Sequence, residues 1–486
     1  MDKPVSVLIV GAGFAGLGAA IRLLENGIDD IVILERAGRA GGTWRDNTYP
    51  GAACDIPSNL YSFSFAPNPH WSRGYSGSGE ILGYIDNLVE RWRLNRFIRY
   101  GQNVNGLAFD EAQGMWQVTT DAGIRRARTV IMASGPLSNF SFPDMPGIDT
   151  YEGHRIHSAR WDHDYDFRGK RVAVIGTGAS AVQIVPELVK QAARLKVFQR
   201  TPGWVLPRFD YATADWNRSL FGRFPGAQQA VRDALYWGHE TMALGVVWTT
   251  PVTRVIEQAA RLYLRRTVQD PWLRRQLTPD FRIGCKRILM TSDWYPALQQ
   301  PNCELVTWPI ATLSPKGIRT AEGIEHAVDC IVFATGFDVA KAGTPFPVSG
   351  LGGRSLGAEW ARGVQAYKSV SVSGYPNLFL TCGPNSGPGH NSLLVYLEAQ
   401  LEYIVQGVRH VLQGPVKYLD VDPGRQQSFN ATIQRRLRGT NWNTGCRSWY
   451  LTEDGFNPTM YPGFATQFRR QMRVFEPADY NAAPAG

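Results

Sequence analysis

Short apolar runs, glycine turns and helically spaced apolar positions recur in the same order twice along the chain. Residues 5–10 read Val-Ser-Val-Leu-Ile-Val and lead into Gly11-Ala12-Gly13-Phe14-Ala15-Gly16. Leu17, Ala20, Ile21 and Leu24 then repeat at helical spacing, and a second apolar run, 31–34, ends at Glu35. This pattern predicts a strand at 5–10, a helix at about 14–26 closed by Gly27, and a strand at 31–34. It returns with a strand from Arg171 to Ile175, the turn Gly176-Thr177-Gly178-Ala179-Ser180-Ala181, a helix at about 179–193 and a strand at 195–199 that runs into Arg200.

Between and after these units the pattern changes. Residues 38–79 are rich in Gly, Pro, Asn and Ser and predict a long functional loop. Residues 103–120 read as a small antiparallel insert with Val104, Leu107, Phe109, Trp116 and Val118 as its packing residues. Residues 129–133 follow as a central strand ending in a Ser134-Gly135-Pro136 turn. From 204 to 285 aromatic and arginine-rich helical patterning predicts a helical insertion. An apolar strand, 330–333, runs into Ala334-Thr335-Gly336-Phe337-Asp338, where the chain is expected to return to its first lobe. A turn and strand fall at 374–381, and a helix at about 391–412 has Asn391 as its N-cap. Residues 481–486 read as a frayed tail. The fold class is therefore α/β, with two Rossmann-like dinucleotide-binding domains and a helical insertion in the second. The expected division is 1–145, a linker at 146–170, 171–330, and 331–486 as the return to the first domain and a C-terminal active-site segment.

Glycine pattern and flanking charge give the two units different ligands. Gly11 and Gly13 let a pyrophosphate approach the backbone, and Gly16 lets helix and strand pack closely. In the second unit Gly176 and Gly178 do the first job, with Ser180 in the first turn of the helix and Ala181 in place of the third glycine. Glu35 suits ribose hydroxyls, whereas Arg200 suits a ribose 2′-phosphate. The pair of units thus predicts FAD first and NADPH second, which bounds the chemistry to flavin redox work.

Composition narrows this picture without redirecting it. The 486 residues hold 51 Lys and Arg against 42 Asp and Glu, a net charge of +9 with no basic run of the kind that binds nucleic acid. The six cysteines lie at 54, 285, 303, 330, 382 and 446. They show neither metal-ligand spacing nor the Cys-x-x-Cys pair of a flavin disulfide reductase, so a reduced, cytoplasmic protein without metal is expected. No apolar stretch is long enough to span a bilayer, and a weak peripheral membrane contact stays open.

Residues 151–162, Tyr151-Glu152-Gly153-His154-Arg155-Ile156-His157-Ser158-Ala159-Arg160-Trp161-Asp162, resemble the linker fingerprint of the type I Baeyer–Villiger flavin monooxygenases, with Tyr151 where phenylalanine is usual. Residues 41–55, from Gly41-Gly42-Thr43-Trp44 to Cys54-Asp55, resemble that family's flavin-side loop, and Tyr61 stands where it has a flavin-proximal tyrosine. The segments Gly284-Cys285-Lys286-Arg287 and Ser448-Trp449-Tyr450 extend the likeness. The resemblance implies hydride transfer from NADPH to FAD, activation of dioxygen as a C4a-peroxyflavin, and conversion of a small apolar ketone to an ester or lactone. It implies that Arg287 is catalytic with Asp55 as its partner, and that Thr43, Trp44, Asp55 and Tyr61 lie at the flavin. Lys286, Arg200 and Thr201 would hold the 2′-phosphate. His157 and Trp161 would govern the linker, His157 through loop geometry rather than as a base and Trp161 by packing. Competing readings make Arg287 a surface arginine, Asp55 a loop cap, and Lys286 with Arg200 a solvated face. At the level of function the competitors are an N- or S-oxygenating flavin monooxygenase and a non-catalytic flavin-binding scaffold.

Overall fold

The computed structural model describes residues 3–135, 140, 142–336, 344–446 and 448–484. Pro136, Phe337, Asp338, Ala485 and Gly486, which belong to the turn, return motif and tail expected above, lie outside them. The first lobe opens with strand β1 (Val5–Val10), helix α1 (Phe14–Glu25) and strand β2 (Ile31–Glu35), with β1 and β2 parallel. Gly27 sits just past α1 at φ +74°, where its amide reaches the Leu24 carbonyl, so the helix ends as its sequence predicts. The irregular stretch carries the short helix α2 (Thr43–Asp46) and runs into α3 (Ser78–Arg91), which leads to β3 (Ile98–Tyr100) beside β2. A meander of β4 (Val104–Asp110), β5 (Met115–Thr120) and β6 (Gly123–Met132) follows, and the far end of β6 lies parallel to β1.

The second lobe begins in the linker. Strand β7 (His154–His157) precedes β8 (Arg171–Ile175), α4 (Ala181–Leu188) and β9 (Arg194–Phe198). Strand β10 (Val205–Leu206) opens the helical insertion of α5 (Asp215–Arg223), α6 (Pro225–Val246), α7 (Pro251–Thr267) and α8 (Pro271–Gln276), and β11 (Leu289–Met290) closes it by pairing with β10. Helix α9 (Trp294–Leu298), β12 (Cys303–Val306), the small sheet β13 (Ile310–Ser314), β14 (Gly317–Thr320) and β15 (Glu325–Ala327), and β16 (Cys330–Phe333) complete it. Its parallel sheet has the order β12-β9-β8-β16-β7.

The chain then returns to the first lobe. Strand β17 (Val348–Ser349) pairs with β4, and helix α10 (Leu356–Trp360) follows. Strand β18 (Leu378–Leu380) pairs with β6, and the long helix α11 (Leu393–Gln413) follows it. Strand β19 (Val416–Val421), helices α12 (Pro423–Leu437) and α13 (Ala465–Met472), and β20 (Tyr480–Pro484) end the chain. In the first sheet Val7, Ile9, Ile33 and Ile131 face the core under α1 and α11, while Leu8, Val10, Val32, Leu34 and Val130 face the core under the meander. Burial on both faces is why these strands read as unbroken apolar runs.

Five expectations need correction. Strand β16 lies between β7 and β8 in the second sheet, so the return comes after Phe333 rather than at 331. Helix α4 is half its expected length: Pro186 removes an amide from the ladder, and Asn302 Nδ2 instead takes the carbonyls of Val189 and Ala192. The N-cap of α11 is Ser392, whose hydroxyl accepts the Leu394 amide, not Asn391. Residues 481–484, expected to fray, join Tyr480 in a strand antiparallel to β19. Cys285 and Cys446, expected to be reduced, form a disulfide across 161 residues, because the C-terminal segment folds back onto the 284–287 loop. No helix among the described residues is long and apolar enough to cross a membrane.

Candidate active site

The two glycine turns are built alike, and their glycines do different things. Gly11, at φ +105°, runs so near β6 that a Cβ would stand 2.6 Å from the Ala133 carbonyl oxygen. A Cβ on Gly16 would stand 1.8 Å from the Gly11 carbonyl oxygen, so α1 can lie this close to β1 only with glycine there. Gly13 lies open, its nearest neighbour being the Cα of Gly42. In the second turn Gly176, at φ +115°, lies as close to the Ala334 carbonyl as Gly11 does to Ala133, while a Cβ on Gly178 would meet nothing within 4 Å. Each turn therefore presents one glycine locked into the sheet and one facing free space at a helix N-terminus, the arrangement a pyrophosphate needs.

Glu35 is buried at the end of β2. It accepts the Ala12 amide at 2.9 Å, the Ala37 amide at 2.9 Å and Arg45 Nη1 at 2.8 Å. The Ala12 bond ties the carboxylate directly to the first turn. Thr43 opens α2, and Trp44 donates its indole N–H to the Tyr61 hydroxyl at 3.1 Å, with the rings edge to face. Burial pushes the Tyr61 phenol far above its ordinary range, so it remains protonated.

Asp55 and Arg287 come together from positions 232 residues apart. Nε donates to Oδ2 at 2.6 Å and Nη2 to Oδ1 at 2.7 Å, a bidentate pair whose side chains stay 39% and 25% accessible. Burial raises the Asp55 carboxyl, but the Arg287 charge and its hydrogen bonds outweigh burial and hold it below its ordinary value. Arg287 is correspondingly held even more firmly in its charged form, chiefly by Asp55. The Asp55 loop also rests on the second lobe. Tyr49 Oη donates to Gln183 Oε1 at 3.1 Å, and Gln183 Nε2 donates to the Ala53 carbonyl at 3.0 Å.

On the nucleotide side, Thr177 Oγ1 donates to the Thr201 carbonyl, closing the second turn on the end of β9. Ser180 takes the N-cap position of α4 without capping it. Lys286 lies over the Phe281 ring and is close enough to Arg200 that burial and the Arg200 charge both lower its pKa. Two cations held together in this way fit a doubly charged phosphate. His157 ends β7, buried, with the Ala159 amide donating to its Nδ1 at 3.1 Å. Burial and then Arg160 lower its pKa to about 4, so it is neutral at pH 7. Trp161 stacks on Phe167.

Sequence reasoning did not single out Arg45, the counter-charge of Glu35, although it is two residues from Thr43. It also missed Gln183, which joins the lobes, and His239 of α6. The latter donates from Nδ1 to the Leu235 carbonyl at 2.9 Å and lies near enough to Asp55 to feel its charge. None of the three has a local sequence signature, because their partners are remote in the chain. No group of His, Cys, Asp and Glu fit to hold a metal occurs among the described residues.

A family model for pyridine nucleotide-disulphide oxidoreductases matches residues 8–219, which span both glycine turns but not the Cys285–Cys446 bridge. A Baeyer-Villiger monooxygenase of Streptomyces coelicolor is 44% identical over 491 aligned residues, covering 100% of this chain and 94% of the relative. The crystal structure of cyclohexanone monooxygenase from Rhodococcus sp. Phi1 bound to NADP+ superposes with a TM-score of 0.89 at 26% identity, covering all of both chains. A crystal structure of OTEMO with FAD and NADP superposes with a TM-score of 0.88 at 25% identity, over 99% of this chain and 100% of that one. With end-to-end identity of this order, the chain belongs to the Baeyer–Villiger monooxygenase family.

Proposed function

We propose that this chain uses NADPH, FAD and dioxygen to convert small apolar ketones to esters or lactones. The observation that carries the reading is the bidentate Asp55–Arg287 pair, set where the loop of the first lobe rests on the second. FAD would be held by the first glycine turn and Glu35, with Gly13, Gly42, Thr43, Trp44 and Tyr61 beside it. NADPH would be held by the second turn, with Arg200, Thr201 and Lys286 supplying charge and hydrogen bonds for its 2′-phosphate. In this division residues 1–145 and the return after Phe333 form the FAD-binding domain, 171–333 the NADPH-binding domain, and 146–170 the linker, whose strand β7 joins the second sheet.

The bound cofactors supply hydride transfer and the activation of dioxygen. This chain's residues supply orientation and charge. Arg287 stays cationic at every working pH and stabilises the negative charge that grows on the ketone oxygen. Asp55 fixes the guanidinium plane and, being held in its ionised form, does not carry a proton. Removing one such donor costs about 3–4 kcal/mol at comparable oxyanion sites, a hundred- to thousandfold in rate. His157 holds the linker backbone, and Trp161 packs it. A cytoplasmic location goes with the use of NADPH, and any weak peripheral membrane contact would fall on the exposed Trp216, Phe224 and Trp237 of the helical insertion.

The test is product analysis with purified, FAD-loaded protein over linear, cyclic and aryl ketones beside a thioether and an amine. Esters or lactones from ketones are expected. Oxidation of the thioether and amine with no ester from any ketone would replace the reading with heteroatom oxygenation. Bound FAD that NADPH fails to reduce would point to a non-catalytic protein.

A further inference from the structure

The Arg287 loop is fastened to two other parts of the chain. Gly284, at φ +89°, lies so near the end of α6 that a Cβ would stand 2.2 Å from the Val246 carbonyl oxygen. Fully buried Asn441 donates through Nδ2 to the carbonyls of Gly245 and Val246, both at 3.1 Å, and through its amide to Val247. Its Oδ1 accepts the Thr249 hydroxyl at 2.6 Å. Beyond it, Cys446 is bonded to Cys285, two residues before Arg287, with the Cα atoms 6.3 Å apart. These ties draw the C-terminal segment against the Asp55–Arg287 pair, and among its described residues the next buried side chain is Tyr450.

Tyr450 is 3% exposed, with its ring 4.5 Å from that of Trp449. Burial pushes its pKa up to about 12, while the Arg287 charge pulls it down and the Asp55 charge pushes it up, so the phenol senses both members of the pair. Among the described residues its oxygen forms no hydrogen bond. Yet that oxygen is not sealed in the core as those of Tyr375 and Tyr396 are. A phenol so deeply placed ordinarily finds a partner, and leaving one unpaired costs about 1–3 kcal/mol. Tyr61 shows the alternative within the same site, its hydroxyl being already taken by Trp44.

We propose that Tyr450 is a further catalytic residue: its phenolic O–H donates a hydrogen bond to the carbonyl oxygen of the bound ketone, beside the guanidinium of Arg287. The proton stays on the phenol throughout, and the bond strengthens as negative charge builds on that oxygen. This inference rests on the ketone-oxygenating reading given above. The Cys285–Cys446 bridge and Asn441 act as positioning groups that keep phenol and guanidinium on a common centre.

The experiment compares wild type and Tyr450→Phe as FAD-loaded full chains, with cyclohexanone and acetophenone as probes. It reads kcat, KM, ester formed per NADPH consumed, hydrogen peroxide released, the anaerobic rate of flavin reduction by NADPH, and Tm. The variant is expected to lose at least tenfold in kcat for ester formation and to divert NADPH to hydrogen peroxide. Flavin reduction and Tm should stay at wild-type values, because the ring is retained. Kcat and coupling within twofold of wild type would overturn the assignment. So would a parallel fall in Tm and flavin reduction, which marks a packing role. Should Tyr450→Phe fail to hold FAD, Tyr450→Gln, which keeps a donor, is set against Tyr450→Leu, which does not; equal losses in both overturn it. A wild type that makes no ester from either probe or from the wider ketone panel removes the reading on which Tyr450 depends. An active wild type with an unimpaired phenylalanine variant removes the Tyr450 assignment alone.

Discussion

Gly16 and Gly178 occupy equivalent-looking fingerprints, but only one is constrained by the protein's own packing. Gly16→Ala would put a Cβ 1.8 Å from a backbone oxygen, and it should abolish FAD loading or soluble expression. Gly178→Ala meets no protein atom within 4 Å, so Tm and FAD content should hold while the KM for NADPH rises about tenfold if the pyrophosphate lies there. Thermal melts and steady-state kinetics separate the two. His157 makes a pH prediction. Its pKa is lowered from 6.5 to about 4, so the unfolded chain binds more protons than the folded one between those values. Its contribution is therefore intact above about pH 6.5 and is lost as the pH falls toward 4. Urea unfolding at pH 7 and pH 5 should show about 2 kcal/mol of this loss in wild type and not in His157→Gln. Asp55 has the opposite charge logic. Its lowered pKa keeps the pair ionised down to below its ordinary value of 3.8, so an acid limb in activity between pH 5 and 7 belongs to another group. At this scale the glycines, Glu35 and Arg200 stand out through their place in the two strand–turn–helix units, whereas Asp55 and Arg287, whose contact the structure makes, are picked out only by the family resemblance. Arg45, Gln183 and His239 do not stand out, because what defines each is a contact made only after folding.

Elements were legible where the period of the sequence matches the burial that the fold imposes. Helix α1 and strands β1, β2 and β8 fall within a residue or two of their expected bounds, since their apolar spacing is their packing face. Helix α4 came out short because Pro186 and the Asn302 side chain intervene, and only the proline is visible locally. Strand β20 has alanine-rich sequence with little strand character, and it forms because β19, about sixty residues earlier, offers an edge. The Cys285–Cys446 bridge belongs to the same class of long-range fact. Closing a loop of 161 residues stabilises by up to about 5 kcal/mol in the chain-entropy picture. Treatment with a phosphine reductant, or Cys446→Ser, should lower Tm and depress both ester formation and NADPH-driven flavin reduction, because Cys285 is bonded in the chain to Lys286 and lies two residues from Arg287. Thiol counting by mass spectrometry should find four free cysteines before reduction and six after.

Across the whole molecule, one chain folds two dinucleotide units around a shared contact, and the paired Asp55 and Arg287 come from different ones. Asp55 belongs to the first lobe, Arg287 to the end of the insertion in the second, and Gln183 links the Asp55 loop to α4. The sequence pattern could separate the lobes but not how they meet, which depends on side chains such as Tyr49 and Gln183 that carry no motif. The proposed phosphate site in the second lobe is tested by nucleotide choice: Arg200→Ala should raise the KM for NADPH at least tenfold and leave NADH turnover nearly unchanged, whereas equal losses with both would contradict the site. The account stands most directly on Arg287 as the stabiliser of charge on the ketone oxygen. Its measurement is mass-spectrometric product analysis under ¹⁸O-labelled dioxygen, with FAD-loaded wild type and Arg287→Ala supplied with NADPH and the ketone panel. Wild type should form ester carrying one labelled oxygen, and Arg287→Ala should retain FAD yet lose that product at least a hundredfold. Labelled ester from Arg287→Ala at a rate near that of wild type would contradict the account.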